Sequence, residues 1–520
     1  MKTLLAAVLS FALLGAPAYA QTAQTTAQTS TDAQLQALQA QLDALKAQIE
    51  AIKAQQLQQA QQAKATPASP APQYVRLKPG NTATFLVGKK DEVTLYGHLD
   101  LSFDDASKGL APFYPFNGSS PVGNIGWMTD ISTNLSYVGV RGFHELSNKS
   151  RLVYQLETQI DVSSTAGITE TSSNESDQVK GALTSRNSFI GIAGDWGAVK
   201  IGKTDAPYKI STNRMNPFSG EWGDYGVIMG NTGGDNRVEF GTRVDHAIWY
   251  ESPNWGGLHV NALVSPGQNR SYDDSGLAAG ESDCSGGNIP GSGALPPFCN
   301  DGSFGSLYSY DVDYKTGPFY ITGAYELHKR VNRSSDLPNL DPNDVADEDA
   351  WKVGAQYSFS KETTFSGIYE SMRRYVPAYL MYQNERTRTG FWFALTQWLN
   401  TSSNINLGWA RANPTPGDPG QHNTPTTANP DNMSNMWTVA YKHNMDRHVG
   451  WYVDYAETLN HSAAHYDLGA GGRSVTTDCH DASILAAFDP TVNPPVSGNG
   501  PHCYAGGRLQ GASVGLTFSF

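Results

Sequence analysis

The sequence predicts an all-β transmembrane antiparallel barrel of about sixteen strands, preceded by a short N-terminal coiled-coil helix. Three observations predict it. Segments of roughly ten residues after residue 91 alternate apolar and polar, with charges at every second position. Short Gly-containing turns alternate with long connections. The chain is only 39% hydrophobic yet 11% aromatic, with mean hydropathy −0.42. Such a chain has no run of the ~20 apolar residues that a membrane helix needs. It is also too rich in Tyr, Trp and Phe for a mostly disordered protein.

The first element is an export signal. Lys2 supplies a positive start, 4–14 an apolar stretch, and Ala18-Tyr19-Ala20 a small-x-small cleavage site, so the mature chain is expected to begin at Gln21. Cleavage of residues 1–20 removes one lysine and no acid, taking the formal charge from −13 to −14. That acidity argues against nucleic acid as a partner. Taken alone, it implies a preference for cations.

Residues 21–63 form the second element. Leu35, Leu38, Leu42, Leu45, Ile49 and Ile52 are spaced 3-4-3-4-3, the a/d seam of a coiled coil. Asp43, Lys46 and Glu50 fall at neighbouring positions on the outer face. So short a seam is marginal alone, and predicts self-association, with a trimer allowed by the mixed Leu and Ile core. Residues 64–90 follow as a linker stiffened by Pro67, Pro70, Pro72 and Pro79.

Residues 91–520 are the barrel. Val93, Leu95, Leu99, Leu101 and Phe103 share one face of the first strand, and Thr94, His98, Asp100 and Ser102 the other. Tyr308, Tyr310, Val312 and Tyr314 oppose Ser309, Asp311, Asp313 and Lys315 in the same way, and Phe319, Ile321, Tyr325 and Leu327 oppose Thr322, Glu326 and His328. Charges at that frequency are expensive in a packed core and natural in a water-filled lumen. Tight turns such as 315–317 contrast with long connections at 265–305, 330–348, 412–432 and 460–508. The last strand places Ala512, Val514, Leu516, Phe518 and Phe520 on one face.

The residues that carry a family likeness are Val93-Thr94-Leu95-Tyr96-Gly97, Tyr137-Val138-Gly139-Val140-Arg141-Gly142, Arg186-Asn187-Ser188-Phe189-Ile190-Gly191, 196–203, 248–257 and Val514-Gly515-Leu516-Thr517-Phe518. In this order they resemble the general bacterial outer-membrane porins, of the Gram-negative type common in β-proteobacteria. The coiled coil is an addition to that pattern. The resemblance implies a trimeric water-filled channel for passive diffusion of ions and small hydrophilic solutes, with no cofactor and no enzymatic turnover. It implies outer-membrane lipid around the barrel, a periplasmic N-terminal segment in reach of the cell wall, and Phe520 as the assembly signal read by the barrel assembly machinery.

The resemblance also implies a third loop folded into the pore, here following Lys203. Its acids would be Asp205, Glu221 and Asp224. The facing basic wall would hold Arg141, at the family position, with Arg151, Lys200 and Arg243. Opposed rings of charge would set a transverse field in the pore. Tyr137 stands where the family often carries Arg, and Thr517 and Ser519 where its last strand is often basic.

Other matches carry less. Residues 197–204 fit the phosphate-binding expression G-x-x-x-x-G-K-[ST], but Val199 and Ile201 sit in a strand pattern with no helix after it. Residues 511–515 fit G-x-S-x-G with no room for an acid and a His downstream. Cys284 and Cys299 fall in one long loop, Cys479 and Cys503 in another; disulfides within each loop are the simplest reading in an oxidising compartment, with cross-pairing open. Cys479, His480, His502 and Cys503 lack zinc-finger spacing, so no metal site is assigned. Two further readings stand beside the channel: a structural role in which the helix tethers the barrel to the cell wall, and a barrel enzyme, for which no Ser/His/acid trio is found.

Overall fold

The computed structural model describes residues 75–78, 83–107, 127–147, 149–160, 162–163, 186–229, 240–266, 306–332, 345–375, 387–415, 431, 433–461, 464, 466, 468 and 508–520, with six residues between 39 and 53. The chain divides into units Met1–Gln73 and Tyr74–Phe520.

In the first unit, Gln39, Asp43, Lys46, Ala47, Glu50 and Lys53 are helical and exposed. Asp43 pairs with Lys46 at 3.7 Å and Glu50 with Lys53 at 3.2 Å, each one turn apart. The sequence spacing also puts Lys46 beside Glu50; Lys53 takes that partner. The seam residues Leu35, Leu38, Leu42, Leu45, Ile49 and Ile52 lie outside the described residues, as do the signal segment and Cys284, Cys299, Cys479 and Cys503.

In the second unit, the strands are β1 (Val75–Leu77), β2 (Thr84–Val87), β3 (Asp91–Ala106), β4 (Met128–Thr133), β5 (Tyr137–Ser147), β6 (Ser150–Gln159), β7 (Ser188–Gly194), β8 (Gly197–Asp205), β9 (Arg243–Glu251) and β10 (Leu258–Pro266). They continue as β11 (Ser306–Thr316), β12 (Phe319–Asn332), β13 (Val345–Ser358), β14 (Thr363–Arg374), β15 (Arg388–Trp398), β16 (Ser403–Ala412), β17 (Ser434–Asn444), β18 (Val449–Asn460) and β19 (Arg508–Ser519). Each strand from β5 to β19 pairs antiparallel with the next. β19 then pairs with β3 and closes the ring. Nineteen strands join this sheet. β1 and β2 form a hairpin, and β4 and β5 share one wall position beside β3, broken at 134–136 where Leu135 takes φ 54°. The ring therefore has sixteen strands, as the sequence predicts, and the region 384–412 supplies two of them.

Alternation does in the structure what it announces in the sequence. Leu95, Phe103, Ile131, Leu156, Ile201, Tyr310, Val312, Val514, Leu516 and Phe518 are exposed on the outside. Asp100, Ser102, Asp104, Glu157, Asp311, Glu326 and Asp454 are buried on the inside. Inverting the usual polarity suits a barrel bathed in hydrocarbon. Aromatic side chains meet across the outer face: Phe393 stacks on Trp409, and Trp437 lies tilted against Trp409, each pair at 5.9 Å between ring centres.

All tight connections fall at one end. At 317–318, Gly317 takes φ 52°, a conformation that only glycine adopts freely. The strand ends that flank the long connections fall at the other end. The residues before β3, expected to be linker, contribute structure: β2 pairs with the start of β3, and Lys78 meets Glu92 at 2.8 Å. β2 takes over the edge of β3 where β19 stops. Leu95 donates to the Ala83 carbonyl, and Gly97 and Phe520 exchange both backbone hydrogen bonds at 3.1 and 3.2 Å.

Candidate functional site: the inner wall and the third long connection

Residues 206–229 of the connection from β8 to β9 are seated against the strands. Its described part carries a short helix α1 (Pro207–Ile210), a 3₁₀ turn (Asn213–Met215) and a second short helix α2 (Gly226–Met229). Tyr208, Met215, Phe218, Trp222, Ile228 and Met229 are almost wholly buried. Their burial is possible because the facing strands place small residues on the inside. Met215 Sδ lies against Gly354 on β13, Phe218 against Gly408 on β16 and Met229 against Gly390 on β15, each near enough that a methyl group there would collide. Trp222 packs with Ala106, Ala456, Leu468 and Leu509. A row of inward Gly and Ala thus forms a trough, and the connection fills it.

Polar contacts fix the same seat. The Tyr208 amide donates to Ser309 on β11 at 2.9 Å, and its hydroxyl to Glu370 on β14 at 2.5 Å. Burial pushes the Tyr208 phenol well above its ordinary pKa, and the nearby Glu370 charge adds to the rise. Tyr320 on β12 donates to the Ser211 carbonyl, and Lys352 on β13 to Thr212. The Arg388 guanidinium on β15 donates to the carbonyls of Ile228 and Met229. Lys442 on β17 donates to Glu221 and to the Pro217 carbonyl. Asp224 is turned inward on its own loop, accepting from Gly220, Gly226 and Asn216, while burial raises its carboxyl. The start of the last long connection joins in: Ala464, Tyr466 and Leu468 are fully buried, and the Leu468 carbonyl accepts from Gly223.

These contacts run from β11 round to β19. The inner faces of β5 and β6, with the first half of β3, carry a different set. Arg141 lies over the Tyr96 ring at 4.7 Å, and Arg151 over the Phe143 ring at 5.1 Å. Both arginines are exposed, and among the described residues neither has a carboxylate partner. Arg186 lies over Tyr137 and pairs with Glu157 at 2.7 Å; Tyr96 donates to the same carboxylate at 2.9 Å.

The expected charge groups are therefore distributed as follows. Arg141 and Arg151 share the uncovered wall. Lys200 is bound to Glu251 at 2.6 Å, and Arg243 to Asp205 at 3.1 Å. Asp205 also holds Lys209 at 2.9 Å. Asp205 and Arg243, placed in opposing groups from the sequence, are partners of each other. Glu221 is engaged with Lys442, and Asp224 with its own loop.

Sequence reasoning missed Arg186, Lys352, Arg388 and Lys442. A signal for two of them was available: an inward cation two residues from an inward glycine, as in Lys352 and Gly354 or Arg388 and Gly390. The match at 197–204 falls in strand β8 and that at 511–515 in strand β19, the latter with only strand after it.

With this geometry in place, comparison with known proteins is informative. A family model described as Gram-negative porin matches residues 60–463. The major outer membrane protein P.IB of Neisseria sicca is 27% identical over 151 residues, 28% of this chain and 36% of that protein. The protein of the same description from Neisseria meningitidis serogroup B / serotype 15 (strain H44/76) is 23% identical over 257 residues, 49% of this chain and 60% of its own length. The matched regions thus span under two thirds of these relatives. Among solved structures, an anion-selective porin from Comamonas acidovorans superposes with TM-score 0.56 at 16% identity, covering 83% of this chain and all of that one. A Salmonella typhi OmpF complex with daunomycin gives 0.50 at 13% identity, covering 83% and 98%. At these identities the structures show a shared barrel fold.

Proposed function

The chain belongs to the Gram-negative porin family, and from that premise we propose that it is a trimeric outer-membrane channel for passive diffusion of ions and small hydrophilic solutes, narrowed by residues 206–229. One observation carries the reading. The third long connection packs on inward residues from β11 to β19, while Arg141 and Arg151 stay exposed on the opposite inner face. A conducting gap between the two would be lined by cations and aromatic rings.

That lining reverses what net charge alone implies. The acids Asp205, Glu221 and Asp224 are each satisfied by a cation or by loop amides, whereas Arg141 and Arg151 are exposed with no carboxylate partner among the described residues. The channel is therefore proposed to prefer anions, with Lys200 and Arg243 shaping the wall through their pairs. The short-turn end is read as periplasmic, so residues 21–63 would stand in the periplasm as a trimerising coil in reach of the cell wall. Phe520, hydrogen-bonded to Gly97 at the barrel seam, would be the residue that the barrel assembly machinery recognises. Cys284, Cys299, Cys479 and Cys503 would pin the outer loops as disulfides.

The test is single-channel recording of the refolded protein in planar bilayers, with a salt gradient. Stepwise conductance with a reversal potential on the anion side is expected. Silent insertion would sink the channel; clear cation preference would sink the account of the lining while leaving the channel standing.

A further inference from the structure

We propose that the short-turn mouth of the barrel holds a binding site for a small polyvalent anion, built by Arg214, Lys315 and Lys361. A cavity of about 370 Å³ lies there, between the 3₁₀ turn of the third connection and the turns joining β11 to β12 and β13 to β14. Its size falls in the range of small-molecule sites, roughly 300–1,000 Å³.

The three cations come from three separate chain segments and line one space. Arg214 is held by stacking, its guanidinium 4.3 Å from the centre of the Tyr320 ring. Its backbone is held by Met215 seated against Gly354 and by the Tyr320 hydroxyl bonded to Ser211. Lys315 sits directly across the ladder from Tyr320. Lys361 belongs to a tight turn in which Ser360 Oγ accepts from the amides of Glu362 and Thr363 at 3.1 Å, leaving the hydroxyl proton free to be donated. Ser358 lines the same cavity.

Among the described residues, no carboxylate lies within ion-pair distance of Arg214, Lys315 or Lys361. Asp313 acts electrostatically on Arg214, but is itself held by His259 at 3.5 Å. Three cations that line one space and form no ion pair among the described residues repel one another, and that repulsion is relieved most by one ligand carrying several negative groups. Chloride or acetate satisfies one head at a time. A tricarboxylate or a pyrophosphate reaches two or three, and offers Arg214 a planar or forked set of oxygens suited to bidentate bonding. The shared chemistry is two or more anionic groups within one small molecule.

The site rests on the barrel geometry and not on conduction, so its test is a binding measurement. Isothermal titration calorimetry on the full chain, refolded in detergent, would use citrate and pyrophosphate as probes, with acetate and sucrose as controls. Citrate or pyrophosphate is expected to bind at least ~10-fold more tightly than acetate, with affinity falling steeply as salt is added. The triple variant Arg214→Gln, Lys315→Gln, Lys361→Gln should lose at least ~10-fold in affinity. Lys361→Gln alone, a change at an exposed turn position, should lose part of it. Which probe binds tells carboxylate from phosphate recognition. Equal binding of acetate and the polyvalent anions, or affinity unchanged in the triple variant, would overturn the proposal.

Discussion

Lys442 Nζ on β17 lies 2.6 Å from Glu221 Oε1 in the third long connection, and the same ammonium donates to the Pro217 carbonyl. Glu221 is 5% exposed, so its carboxylate is not freely hydrated when the pair breaks. Replacing Lys442 by Met should leave the carboxylate buried and unpaired. The expected cost is about 1.5–3 kcal/mol of local seating energy, seen as larger and noisier single-channel conductance. The double variant Lys442→Met, Glu221→Gln should recover most of the quiet behaviour. If Lys442→Met conducts like the parent, this pair does not hold the segment.

Gly223 tests the same seat through sterics. It takes φ 79°, and a methyl group there would overlap the Thr438 side chain on β17. Both the backbone and the space demand glycine. Gly223→Ala should unseat the segment while the strand ladder stays closed. Raised conductance with unchanged heat-modifiable gel mobility is the expected pair of results; unchanged conductance would place the narrow zone elsewhere.

The barrel was legible because alternation is local: each strand announces its own two faces, and β3, β11, β12 and β19 matched residue by residue. The inward seat was not, for a physical reason. Whether Asp205 meets Arg243 or faces it across a pore depends on a register between β8 and β9, and whether Glu221 meets Lys442 depends on how a loop folds across a lumen. Neither is periodic in sequence. What was readable and passed over is the trough, since Gly354, Gly390, Gly408 and Gly511 break the otherwise bulky or polar inner faces at the positions that Met215, Met229, Phe218 and Trp222 occupy.

The turn between β17 and β18 gives a pH-dependent test outside the lumen. Asp446 Oδ1 accepts the amides of His448 at 2.6 Å and Val449 at 2.8 Å, and these bonds hold its carboxyl below the usual 3.8. A depressed folded-state pKa means that the turn's contribution is present above the unfolded value and lost as pH falls through the folded one. Asp446→Ala should therefore lower the thermal midpoint of the detergent-folded barrel at pH 7, and the gap from the parent should shrink below about pH 4. A gap that stays constant down to about pH 2 would show that the side chain matters for reasons other than its charge.

The last test concerns the wall that the segment leaves uncovered. Arg141 and Arg151 stack on Tyr96 and Phe143 and remain exposed, so their charge acts on solution, not on a buried partner. Arg186, tied to Glu157, contributes no net charge and serves as the internal control. Arg141→Glu with Arg151→Glu changes the local charge by four units in the proposed narrow passage, where fields would be focused. The anion-to-cation permeability ratio should fall at least about threefold, read from the reversal potential in a tenfold salt gradient, and the shift should weaken at high ionic strength. The stack itself is tested separately by Tyr96→Leu, which removes the ring under Arg141 and the bond to Glu157 without changing formal charge. It should alter conductance far more than selectivity. If the arginine variants leave the reversal potential where it was, ion preference is set outside this wall.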